Sequence, residues 1–185
     1  VLIGIEDDSK PEVRAISPAQ TRLYSQDSLV ADIVARDDRA VHALEVSLWA
    51  EGGAAPLWER RLDAQSGLIP GPETVNKLNI DLMPLALGNQ DRSLRLRVAA
   101  VDDGGQRGDV KEISLQVMAD TLGPRLAVVS PIQGAPLYAG NTVQVKLRGV
   151  DDTKLVSLQA LSGGTSLYSN TTIQSASFEG SFSLK

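Results

Sequence analysis

Hydrophobic positions recur at every second residue along most of this chain. Leu29, Ala31, Ile33 and Ala35 alternate with Val30, Asp32, Val34 and Arg36, and Leu94, Leu96, Val98 and Ala100 alternate with Arg95, Arg97 and Ala99. Ile113, Leu115 and Val117 alternate in the same way with Glu112, Ser114 and Gln116. Successive side chains of a β-strand point to opposite faces, so such segments offer one apolar face to a core and a more polar face to water. Leu44/Val46/Leu48 and Leu78/Ile80/Leu82 are shorter strands of the same kind. No stretch carries a sustained stripe of 3.6-residue period, so no helix longer than a turn is expected. Short alternating strands between clusters of Gly, Pro, Asp and Asn predict an all-β, antiparallel sandwich.

The chain also repeats itself. Pro11-Glu-Val-Arg-Ala-Ile-Ser-Pro18 matches Pro124-Arg-Leu-Ala-Val-Val-Ser-Pro131 at an offset of 113 (124 − 11). After a one-residue insertion, Tyr24 matches Tyr138, and Asp37-Asp38 matches Asp151-Asp152 at an offset of 114 (151 − 37). Between these landmarks Leu29/Ala31/Ile33/Ala35 matches Val143/Val145/Leu147/Gly149, and Asp7 precedes Pro11 as Asp120 precedes Pro124. A period slightly above the ~100 residues of one sandwich is what a tandem array gives. The expected organisation is therefore the end of a preceding repeat and its linker in residues 1–8, a sandwich in 9–119, and the N-terminal part of a second sandwich in 120–185. Lys185 falls at position 71 of the first copy (185 − 114), so the second sandwich is expected to be incomplete.

Composition narrows the function classes. The 185 residues are 42% hydrophobic and 22% charged, and the formal net charge of −5 argues against a nucleic-acid surface, which needs a basic stripe. No apolar run reaches the ~18–20 residues of a membrane-spanning helix. The N-terminal Val-Leu-Ile-Gly-Ile-Glu lacks the cationic region and cleavage site of a signal peptide. There is no Cys, which excludes disulfides, thiolate metal sites and cysteine nucleophiles. His42 is the single histidine and precedes a strand with no activated serine nearby, so no catalytic role is expected for this segment.

The run Pro11 to Pro18, the alternating strand ending in Asp37-Asp38, and Val41-His-Ala-Leu-Glu-Val-Ser-Leu48 together resemble bacterial immunoglobulin-like repeats. The closing segment Leu94-Arg-Leu-Arg-Val-Ala-Ala-Val-Asp-Asp-Gly-Gly105, followed by a strand through Val117, is similar both to those repeats and to cadherin-type repeats. Met118-Ala-Asp-Thr-Leu-Gly-Pro124 lacks the acid-rich linker motif of cadherins. The resemblance implies tandem immunoglobulin-like antiparallel β-sandwiches strung end to end in an extracellular or cell-surface protein. Their role would be structural or adhesive spacing, with neighbouring repeats of the same chain as partners and a cell-surface protein or glycan as a further one.

Three groups of residues carry candidate chemistry. In this topology the loops at Asp37-Asp38 and Asp102-Asp103 share a pole with the incoming Glu6-Asp7-Asp8, and Asp120, Asp151 and Asp152 repeat the pattern. Clustered carboxylates repel unless a cation sits among them, and Ca²⁺ takes six to eight oxygens from such loops. The competing reading is that Asp favours turns by bonding nearby backbone amides. Arg107-Gly108-Asp109 lies in the hairpin between the last two strands and spells a tripeptide that integrins bind; the triplet arises by chance in ~3% of chains this long. Trp49 is placed by alternation on the face opposite Leu48 and, with Trp58, could stack on sugars or simply cover a sheet edge. A carbohydrate-binding module of a secreted polysaccharide-degrading enzyme is therefore the alternative function. Asn170-Thr-Thr172 fits a glycosylation acceptor.

Overall fold

A computed structural model describes residues 8–185, and the chain divides into two compact units, Val1–Ala119 and Asp120–Lys185. The fold is all-β. Among the described residues the only helical pieces are single 3-10 turns at Ala64–Ser66 and Met83–Leu85.

The first unit contains β1 (Glu12–Pro18), β2 (Arg22–Tyr24), β3 (Ser28–Ala50), β4 (Pro56–Leu62), β5 (Gly71–Asp81), β6 (Arg92–Asp102) and β7 (Lys111–Met118). They form one curled sheet organised around β3. The first half of β3 pairs with β1 and β5, while its second half pairs with β4 and β6. From β6 the sheet continues to β7, whose last residues pair in parallel with β2. Because the curl brings both halves of β3 around one interior, Leu29, Ala31, Ile33 and Ala35 share a single core with Leu44, Val46, Leu48, Leu94, Leu96, Leu115 and Val117. These are the positions the two-residue period marks as inward.

The sequence places a loop at Asp37-Asp38, yet β3 runs through without a break. What changes there is the set of partners. The Asp37 carboxylate accepts the amides of Arg39 (3.2 Å) and Ala40 (2.8 Å), and the pairing with β5 jumps from Arg36 to Val41. A local side-chain turn inside the strand thus bends it from one half of the sheet to the other. The strand at Leu78 ends at Asp81, and Leu82, although fully buried, opens the following 3-10 turn.

The second unit contains β8 (Arg125–Ser130), β9 (Val143–Leu155), β10 (Leu158–Ser162), β11 (Thr165–Asn170) and β12 (Ser175–Leu184), paired as a three-stranded sheet β12-β9-β8 and a β10-β11 hairpin. Its core is small: Val145, Leu147, Leu155, Leu158 and Ile173. The register of its first pair repeats that of the first unit. Val13 opposes Ala35 as Leu126 opposes Gly149, and Ser17 opposes Asp32 as Ser130 opposes Lys146. Each pair contains one bulge, after Val13 in β1 and after Val128 in β8, so the two strands realign by their ends. The environments differ, however. Val13 and Ile16 are 3% and 8% exposed, while their counterparts Leu126 and Val129 are 58% and 49% exposed.

Candidate functional site

The acidic residues converge at one pole of each unit. Glu6 and Asp7 lie outside the described residues. Asp8, Asp37 and Asp38 each offer a carboxylate oxygen within 4.8 Å of the others, and Asp120, Asp151 and Asp152 do the same in the second unit. The geometric counterpart of Asp120 among the described residues is thus Asp8, one position later than the sequence alignment places it.

Both triads rest on the same local device. Asp37 accepts the amides two and three residues ahead, and Asp151 likewise accepts the amides of Thr153 (2.9 Å) and Lys154 (3.1 Å). This turn presents the aspartate inward and sends the chain on into the next part of the strand. The side chain two residues after the aspartate then reaches the incoming segment. In the first unit Arg39 contacts Asp8 (3.2 Å), and in the second the Thr153 hydroxyl donates to Asp120 (3.0 Å). The incoming segment is further fixed by the Ser9 amide on Asp38 (3.2 Å) and by Gln106 Nε2 on the Asp8 carbonyl (3.4 Å).

Asp102 and Asp103 join the pole in the first unit. Arg39 bridges Asp8 and Asp103 with its two terminal nitrogens, both at 3.2 Å. The Asp102 and Asp8 carboxylates approach one point from two sides, since a Cβ at Gly104 would stand 3.4 Å from Asp102 Oδ1 and 3.6 Å from Asp8 Oδ2. Asp102 Oδ1 accepts the Gln106 amide at 2.7 Å, which shapes the hairpin. Among the described residues five carboxylates gather at this pole with one guanidinium, and three of them hold Arg39 firmly protonated, Asp103 most strongly, then Asp8, with Asp102 adding least. Sequence reasoning missed Arg39, Ser9, Gln106 and Thr153. An arginine directly after an Asp pair was the one available signal, but only the fold brings Asp103 to it.

Hydrogen bonds keep two of these carboxyls ionised. The Ser9 amide holds Asp38 below the ordinary aspartate value of 3.8, and the Thr153 hydroxyl, followed by its amide, does the same for Asp151. A folded pKa below the unfolded one means the unfolded chain binds more protons as pH falls. The resulting stabilisation is fully present above the unfolded pKa and is lost as pH drops through the folded value. Melting temperatures recorded by circular dichroism are therefore expected to fall below pH ~4, and Thr153→Ala should make that fall shallower for the second unit. An unchanged acid profile in Thr153→Ala would refute this assignment.

The other candidates are placed as follows. In Arg107-Gly108-Asp109, Arg107 is an exposed side chain ion-paired to Glu45 at 2.7 Å, Gly108 is buried, and Asp109 is exposed. The hairpin turns earlier, at Asp103-Gly104. Trp49 lies on the outer face as alternation predicted, half-buried, with its ring beneath the Arg97 guanidinium (5.3 Å) and its Nε1 donating to Ser47 (2.9 Å). It lines a shallow groove of about 700 Å³ together with Arg60, Arg61, Arg97 and Arg107. Trp58 instead packs against the core, and His42 is exposed on β3. No helix of the described residues is long and apolar enough to cross a membrane.

Comparison with protein-family models finds no match, and comparison with curated proteins finds no relative of this chain.

Proposed function

We propose that this chain is a non-catalytic structural spacer of an extracellular multi-repeat surface protein, built of tandem immunoglobulin-like antiparallel β-sandwiches. The observation that carries this reading is the repetition of local structure in the two units: Val13 opposes Ala35 as Leu126 opposes Gly149, and the same aspartate-centred turn follows at Asp37 in β3 and at Asp151 in β9. The strand order supports the sandwich assignment: β1, β3 and β5 form one layer, and β4, β3, β6 and β7 the other, with β2 at its rim. The repeated register of the first strand pairs supports the tandem assignment. Chemical reasoning favours no enzyme, since charged groups along the Trp49 groove are engaged in exposed ion pairs, Arg61 and Arg107 with Glu45 and Arg97 with Glu112.

Backbone ¹⁵N relaxation on the 185-residue chain tests the spacer role. The two units are expected to tumble with one shared correlation time. Independent tumbling would make the chain a flexible tether and sink the proposal.

The groove lined by Trp49 favours one second reading, an accessory carbohydrate-binding module. An aromatic ring in a groove lined by both arginines and the carboxylates Glu45 and Glu59 offers the stacking and hydrogen-bonding groups that sugar hydroxyls use. Glycan-array binding abolished by Trp49→Ala would support it, and no binding to any glycan would remove it.

A further inference from the structure

We infer that the cluster of Asp8, Asp37 and Asp38 at the pole of the first unit, beside Asp102, is a divalent-cation site of the calcium type. An acidic cluster alone would not carry this, since turns recruit aspartate for their own reasons. Three bare oxygens do. Asp37 Oδ1, Asp102 Oδ2 and Asp8 Oδ1 are each buried and have no hydrogen-bond partner among the described residues, and Asp37 and Asp102 are only 5% and 2% exposed. In each case the sister oxygen is engaged: Asp37 Oδ2 by two turn amides, Asp102 Oδ1 by the Gln106 amide, Asp8 Oδ2 by Arg39. The backbone thus fixes each carboxylate and leaves one lone-pair face unused, away from water.

A buried ionised oxygen without a partner is costly, and native structures rarely keep several together. A hard cation seated among the Asp8, Asp37 and Asp38 carboxylates removes that cost for Asp8 and Asp37 together. The spacing suits Ca²⁺: ligand oxygens at 2.3–2.6 Å from the ion lie up to ~5 Å apart, and those of Asp8, Asp37 and Asp38 lie within 4.8 Å. Carboxylates on two separate segments, with Asp102 close by, also suit the flexible, high coordination number of Ca²⁺ better than the strict octahedron of Mg²⁺.

The second unit supplies an internal control. Its triad has the same turn, but Asp151 Oδ1 is covered by the Thr153 amide, the Thr153 hydroxyl and the Lys154 amide, and Thr153 also bonds Asp120. Among the described residues no aspartate oxygen there is buried without a partner. The cation site is therefore assigned to the first unit alone. Arg39 stands where Thr153 stands in the second unit, and its guanidinium is a resident positive charge beside Asp8 and Asp103 that an incoming cation must tolerate or displace. A bound ion would tie the incoming Asp8 to the body of the unit, which deepens the spacer proposal and rests on it for that mechanical consequence only.

Isothermal titration of the metal-stripped 185-residue chain with CaCl₂ tests the site directly. One saturable site per chain is expected, with Kd in the range of about 10⁻⁴ to 10⁻³ M characteristic of extracellular modules, and with weaker binding of MgCl₂. Asp37→Asn keeps an oxygen for the turn amides but removes the charge, and it should abolish binding. Asp151→Asn should leave binding intact. Arg39→Thr should tighten it several-fold (about 3- to 10-fold) by removing the competing charge. Should circular dichroism show Asp37→Asn unfolded, Asp38→Asn, whose side chain is exposed, takes its place with loss of binding again expected. No saturable heat and no rise in melting temperature up to about 10 mM CaCl₂ would overturn the site, as would binding lost in Asp151→Asn and kept in Asp37→Asn. The relaxation experiment separates the two proposals: shared tumbling without calcium binding removes the cation site and leaves the spacer, and binding with independent tumbling does the reverse.

Discussion

Gly108→Ala is expected to destabilise the first unit by about 2–4 kcal/mol, read as a lower denaturation midpoint in urea. A Cβ at this position would fall on the carbonyl oxygen of Pro11 and also press on its carbonyl carbon, 3.0 Å away. Neither side can give cheaply. The Gly108 amide is bonded to Ala100 of β6 at 2.9 Å, and Pro11 leads directly into β1, whose first residue Glu12 pairs with Arg36. The hairpin between β6 and β7 and the start of β1 are thus pressed together backbone to backbone, and glycine is the one residue that allows it. Asp109→Ala, next in sequence but exposed, should change stability by less than about 0.5 kcal/mol. The pair separates two roles for Arg107-Gly108-Asp109. If Gly108→Ala proved neutral, the close approach to Pro11 would be wrong.

Leu48→Ala is expected to cost about 2–5 kcal/mol. Leu48 is fully buried near the end of β3, opposite Leu96 on β6 and Trp58 on β4. Truncation removes the transfer free energy of the lost methyl groups and leaves a cavity, because both neighbours are held by ladder hydrogen bonds and cannot close in. Leu126→Ala in β8 offers the contrast. It occupies the position of the buried Val13 in the repeat, yet it is 58% exposed, so its loss should stay within about 0.5 kcal/mol. Equal costs for the two substitutions would contradict the difference in burial between the units.

Much of the architecture is written locally and was legible for that reason. A strand with one buried face must alternate, so the inward residues of the first half of β3, of β6 and of β7 could be named from period alone. The offset that changes from 113 to 114 between Pro124 and Asp151 marks one extra residue before β9, and the pairing registers of β1 with β3 and β8 with β9 carry that same step. β4 escaped notice because Leu57-Trp-Glu-Arg-Arg-Leu62 has three polar residues in a row and pairs on one side only, which leaves a weak pattern.

Other features have no local signature. Asp37-Asp38 looks like a strand end, since Asp is depleted within strands; only the partners waiting on either side, β5 before the bend and β6 after it, make it the middle of one long strand. The carboxylates at the pole come from segments as far apart as Asp8 and Asp103, joined through Arg39. Their types and repetition could be read from the chain. Which oxygens are paired and which are left bare could not, because that depends on how the curled sheet stacks the incoming segment, the bend of β3 and the last hairpin. The sequence by itself determined the strands, their inward faces and the repeat, since each follows from neighbours a few residues apart. The tertiary structure alone decided the partners of β3, the burial of Gly108 and the charge balance at the pole, since each is set by contacts between residues distant along the chain.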